Sequence, residues 1–161
     1  MAILTESGRA AVATAIMAQP IHLAWGSGDP SWDNLPSGQP ENAGTTALVA
    51  ELGRRTAVPP SYCIPKTGGS IVVSQGQFEF STTPTKYLYL RFAFDFKDAA
   101  QATIRELGVF VGSKVVASPK VANYYEPSEV TDPGQLLVLE NINRLVRSQQ
   151  IQQQFEFVIQ F

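Results

Sequence analysis

Residues 86–96 constrain the fold most tightly, because Leu88, Leu90, Phe92, Phe94 and Phe96 alternate with Tyr87, Tyr89, Arg91, Ala93 and Asp95. A period of two sends successive side chains to opposite faces of an extended chain, so this segment reads as a strand with one continuous apolar face. Its other face is aromatic near one end and charged toward the other. A lone strand cannot bury such a face, so the chain must build a sheet around it.

Partner strands are legible on both sides. Ile21–Trp25 is extended and runs into the turn-forming Gly26-Ser27-Gly28-Asp29-Pro30. Ser70–Ser74 and Gln77–Ser81 flank Gln75-Gly76, a spacing that suits a tight hairpin or a single bulged strand. Ile104–Val111 and Lys114–Ala117 predict a second hairpin around Gly112-Ser113. Pro119–Pro133 is irregular and holds Tyr124 and Tyr125, while Leu136–Leu139 and Phe155–Phe161 are further strands. Glu140–Gln154 fits either a helix through Ile142, Leu145 and Val146 or, as favoured by its flanks, an extended arm.

Two short helices are expected near the N-terminus. Thr5 or Ser7 caps the first, over residues 5–18, and Gly8, Ala11, Val12, Ala15 and Ile16 form its apolar face before Pro20. The second spans Thr45–Leu52, with Gly53 as its terminator. Between them, residues 29–44 form a long loop rich in Pro, Gly, Ser and Asn. The expected architecture is a single domain over 1–161, mainly β with a minor α contribution. It is an antiparallel β-sandwich-like fold with two short N-terminal helices, a loop at 29–44 and an extended arm at 140–154. The expected core is Leu88, Leu90, Phe92, Phe94, Phe96, Val109, Phe155 and Phe157.

Charged residues make up only 16% of the chain, against about a quarter in an ordinary soluble domain, which points to surface covered by a partner. The net charge of -2, without a basic run, argues against nucleic acid or an anionic membrane as partner. With 1 Cys and 1 His the chain can form neither an internal disulfide nor a Cys/His zinc site, and no cofactor or metal is expected. No segment has the length of a membrane span, and the N-terminus lacks the pattern of a secretory signal.

Catalytic constellations are weak. His22 lies between Ile21 and Leu23 in an apolar strand, where a structural histidine is the natural reading. Gly26-Ser27-Gly28 lacks the full nucleophile-elbow pattern. The carboxylate pairs Asp29/Asp33 and Asp95/Asp98 match no calcium loop and read as turn residues. Trp25 and Trp32 bracket the Gly-rich turn and suit core packing or an interface anchor, with sugar stacking as the alternative.

Three stretches together carry a family resemblance: LTESGRAAVATAIMAQPIHLAWGSGDPSWD, ALVAELGRR and IRELGVFVGSKVVAS. The last is similar to the I-x-E-x-G-x-[FY] pattern of bacteriophage tail-collar fibre and baseplate-associated virion proteins. The resemblance implies a non-enzymatic structural component of a tailed-phage virion, with Glu106, Gly108 and Phe110 in a hairpin of the sheet core. A carboxylate buried there would need a cationic or backbone partner, for which Arg54 or Arg55 is the candidate. No repetitive shaft or receptor-binding tip follows the final strand, which favours an adaptor or baseplate-body role over host recognition.

The expected role is therefore a baseplate or tail-tip subunit that joins neighbouring tail proteins or anchors tail fibres. The alternative is a carbohydrate-binding module for the host surface. Expected partners are other phage tail or baseplate proteins and further copies around the tail axis. The expected location is the virion, after synthesis in the host cytoplasm. Interface candidates are Trp25, Trp32, Arg54, Arg55, Glu106, Tyr124, Tyr125, Arg144 and Arg147.

Overall fold

The computed structural model describes residues 1–116 and 123–161. Among them the chain is mainly β, with one α-helix, α1 (Glu6–Met17). Its strands are β1 (Ile21–Gly26), β2 (Glu51–Thr56), β3 (Val58–Pro65), β4 (Ile71–Val73), β5 (Gly76–Ser81), β6 (Tyr87–Phe94), β7 (Thr103–Val111), β8 (Lys114–Val115), β9 (Tyr124–Tyr125), β10 (Val130–Asp132), β11 (Gln135–Val146) and β12 (Gln153–Gln160). The chain falls into two compact units: Met1–Gln19, Ala57–Phe92 and Gln154–Phe161 form one, Pro20–Thr56 and Ala93–Gln153 the other.

The first unit carries α1 and a five-stranded sheet ordered β12-β6-β3-β5-β4. Alternation decides its faces as expected: Leu88, Leu90 and Phe92 are fully buried, and Phe92 meets Phe157 edge to face. On the other face Cys63, Ile71, Phe78 and Val158 form a second apolar cluster, with Tyr87 and Tyr89 packed against it. β4 and β5 are the expected hairpin, with Val73 opposite Gly76. Thr5 caps α1 by accepting from the Gly8 N–H at 3.1 Å. Only Ala13 is buried on α1, whereas Ala11, Val12 and Ala15 of the expected apolar face are exposed. Small side chains define a helix face weakly, and around the buried Ala13 the helix makes polar contacts from Thr14 Oγ1 to Tyr62 Oη at 2.8 Å and from Lys86 Nζ to Glu6 at 2.9 Å.

The second unit is built on a five-stranded sheet ordered β11-β7-β1-β2-β9, with a two-stranded β10-β8 ladder. Every residue of β1 is buried, so both of its faces are covered, and His22 is its one polar side chain. Trp25 stacks on Phe94 with ring centroids 3.6 Å apart.

Several expectations are corrected here. Residues 45–50 form no helix, and Glu51–Thr56 is β2, with Gly53 opposite Trp25 in mid-strand. Gly53 is there for space: a Cβ would run into the Tyr124 ring and lie 2.9 Å from the Tyr125 carbonyl. The β7–β8 hairpin does not form, because β1 and β11 already occupy both edges of β7, and β8 pairs with β10 instead. Gly112 does turn the chain with a φ of 71°, but out of the sheet. Ala117 and residues 119–122 of the expected irregular stretch lie outside the described residues.

Residues 140–146 are extended, as favoured, but they belong to β11 and pair with β7, Leu145 opposite Ile104, instead of projecting as an arm. The 29–44 loop contains a 3-10 turn at Pro30–Asn34, started by Asp29 accepting from the Ser31 N–H at 2.8 Å. Phe96 is 42% exposed, because β6 ends at Phe94 and the chain turns where the Asp98 carboxylate accepts the Asp95 N–H. Phe155 is half-buried.

Candidate functional site

Register brings three polar side chains onto one face of the second unit's sheet. Ala24 lies opposite Arg54, Gly26 opposite Glu106, and His22 opposite Phe110. Glu106 is 1% exposed, and its partners are main-chain donors: Val49 and Ala50 at 2.9 Å each and Gly28 at 3.2 Å. Among the described residues Glu106 is thus held by main-chain donors rather than by the expected ion pair, while Arg54 pairs with Glu51 and Arg55 with Asp98. Three N–H groups from two loops compensate the carboxylate, which in return fixes both loops onto the sheet. Gly26 leaves room for it, since a Cβ there would meet the carboxylate carbon at 2.8 Å.

Arg54 instead clamps Glu51 through Nε at 2.6 Å and Nη2 at 3.0 Å, donates Nη1 to the Pro133 carbonyl at 2.7 Å, and lies 3.9 Å over the Phe110 ring. Arg55 pairs with Asp98 at 3.2 Å; burial nevertheless leaves the Asp98 carboxyl above its ordinary range. Arg147 donates to the carbonyls of Ile151 at 2.9 Å and Asp95 at 2.8 Å, 5.0 Å from the Trp25 ring, and burial lowers its pKa.

Tyr124 donates to the Leu52 carbonyl at 3.1 Å and accepts from Trp25 Nε1 at 3.2 Å, and burial pushes its phenol up to about 12. His22 shares a 2.6 Å hydrogen bond with Ser113 Oγ; burial first, then the Arg54 charge, lowers it to about 4. Both residues of this Ser–His contact are buried, so it is a structural tie.

Of the nine interface candidates, Trp25, Arg54, Glu106, Tyr125 and Arg147 are thus buried, and Arg55 and Tyr124 are half-buried in contacts within the chain. The remaining two, the half-buried Trp32 and the exposed Arg144, share one groove. They line an open groove of 360 Å³ with Asp33, Leu35, Arg105 and Ile142. Arg105, unremarked in sequence, organises it. Its Nε and Nη2 grip both Asp33 oxygens at 2.8 Å, and Nη1 reaches the Ser27 carbonyl at 2.9 Å. The Arg105 hydrogen bonds hold the Asp33 carboxyl below its ordinary range, and Arg144 Nη1 stands 3.6 Å from the same carboxylate. Gly28 has a φ of 57° and seats Trp32, whose ring would be 2.5 Å from a Cβ at that position. The groove thus offers an indole, two aliphatic side chains and a guanidinium whose side chain is 60% exposed.

The fold and this geometry define a β-sheet protein whose buried charges are spent on holding loops and whose surface presents an aromatic–cationic groove. The chain matches the family model "Baseplate wedge 3 tail fiber network component" over residues 1–161 and belongs to that family. It is a structural phage baseplate component. A search of curated proteins gave no match. Among the described residues no helix is long and apolar enough to cross a membrane.

Proposed function

We propose that the chain is a non-enzymatic connector in the baseplate wedge, joining neighbouring tail proteins or anchoring tail fibres. It is made in the host cytoplasm and repeated around the tail axis. The family match across all 161 residues carries this reading. The Trp32–Arg144 groove supports it, because a half-buried indole beside a half-neutralised guanidinium is the composition of an interface anchor. The occupant is a segment of another baseplate protein with an apolar residue for Trp32, Leu35 and Ile142, and an acidic one for Arg144.

The carbohydrate-binding alternative loses one of its two tryptophan platforms, since Trp25 is fully buried. A photo-crosslinking side chain at Asn143, an exposed residue on the groove wall, tests the proposal in assembled baseplates. The expected product is an adduct with a different baseplate or fibre protein. Baseplates that give no adduct, while a control probe on another exposed face reacts, would remove the groove from the proposal.

A further inference from the structure

We propose that two copies of this chain pair through β12, edge to edge across a two-fold axis, so that their sheets become one antiparallel sheet. This goes beyond the connector role and does not rest on it.

β12 ends its sheet and is 8 residues long. The Phe161 N–H donates to the Lys86 carbonyl at 3.0 Å, so residues of its parity face β6. In a regular ladder the alternate residues Gln154, Glu156, Val158 and Gln160 then direct their main-chain groups away from the sheet. Among the described residues no strand lies on that side. The other edges are managed differently. β9 has 2 residues and β4 has 3. β11 shifts register at Leu136/Val138 and again at Asn141/Leu145, and the loop beside it occupies Asn141 through Glu41 at 3.0 Å and the Pro40 carbonyl at 3.3 Å. Short strands, bulges and covering loops are the usual means of blunting an edge. β12 has none of the usual proline or lysine, and Glu156, its one charge, is engaged by the Gln154 amide and the Tyr89 phenol.

A second copy is the occupant because the strand is complementary to itself. An antiparallel register centred on Phe157 sets Phe155 opposite Ile159 and Phe157 opposite its own counterpart, apolar against apolar on one face. On the other face Gln154 meets Gln160 and Glu156 meets Val158, so no like charges are opposed. The four outward-facing residues then find main-chain partners, which supply affinity without charge.

The test is sedimentation equilibrium on the purified full-length chain, with circular dichroism to confirm folding. The wild type should be a reversible dimer. Gln154→Lys with Gln160→Lys places like charges opposite each other at both ends of the pairing and should weaken dimerisation by about tenfold. Gln154→Lys with Gln160→Glu places opposite charges there and should restore it. Both positions are exposed, so neither pair of changes disturbs the core. A wild type that stays monomeric to about 100 μM, or two double variants that behave alike, overturns the proposal. If a monomeric chain still enters baseplates, the self-pairing fails and the connector role stands.

Discussion

The two five-stranded sheets make opposite use of polar side chains. In the second unit Arg54, Arg105, Glu106 and Arg147 are all under 10% exposed, and each grips a loop. In the first unit the buried residues are apolar, and the ion pairs Lys66–Glu79 and Lys86–Glu6 each have a well-exposed partner. Connection length explains the difference. The second sheet must order the 27–50 and 95–102 segments, whose backbone donors and acceptors have no ladder to join, and buried charged groups satisfy them while fixing the loop paths. β4 and β5 meet in a tight hairpin, and there aromatic pairs such as Phe78–Tyr87 suffice.

One substitution made in both sheets tests this contrast most strongly. Glu106→Gln replaces an acceptor of three main-chain N–H groups with an amide that brings its own donors into the same space. It should cost about 3 kcal/mol in urea unfolding. Glu156→Gln in β12 should change stability by no more than about 0.5 kcal/mol. Similar losses at the two positions would end the distinction between a clipped sheet and an aromatic one.

The next effect is pH dependence confined to the second unit. His22 is lowered to about 4 from 6.5, so between those values the unfolded chain binds a proton that the folded chain refuses. Stability is therefore full above pH 6.5 and falls as pH drops toward 4, by up to about 3 kcal/mol. Asp98, raised by burial, works in the opposite sense at the acid end. His22→Gln should flatten the profile between pH 4 and 6.5, measured by unfolding across that range. A slope unchanged in the variant would assign the effect elsewhere.

A smaller loss is expected in the first unit from Tyr62→Phe, which removes the hydroxyl bonded to Thr14. This contact is exposed, so thermal unfolding should report about 0.5–1 kcal/mol. A larger value would mean that α1 depends on a polar clip after all.

What could be read from the sequence follows the same division. The strand at residues 86–96 was legible because alternation is a property of side chains alone, and four of its five predicted core positions are buried. Glu106 was recognisable as a carboxylate in need of compensation, but its partners were not, since main-chain donors of Gly28, Val49 and Ala50 leave no mark in residue identity. Leu48, Val49 and Leu52 imitate a helix face over too few residues to outweigh the pairing of β2 with β1. The partner of β8 depended on which strands had already taken the edges of β7, a long-range fact that no local turn signal carries. Trp32 and Arg144 were singled out separately, and only the fold of β11 beside the 29–44 loop brings them to one groove.

The smallest expected effect on stability separates that groove from the clips beneath it. Arg105 is bonded to both Asp33 oxygens and to the Ser27 carbonyl, so it orders the loop. Arg144 adds only a 3.6 Å approach to the same carboxylate from a side chain that is 60% exposed. A pair so open to water contributes little, and Arg144→Glu should alter the unfolding free energy by no more than about 0.5 kcal/mol. Its effect should appear in assembly. Reversing the charge places two carboxylates on the groove wall and repels an acidic partner segment, so incorporation into baseplates should fall while the isolated chain stays folded. Arg144→Lys, which keeps the charge but not the planar fork, should retain most of the incorporation. If the reversed variant assembles like the wild type, the groove is loop architecture like Arg54 and Glu106, and the connector must grip its neighbours elsewhere.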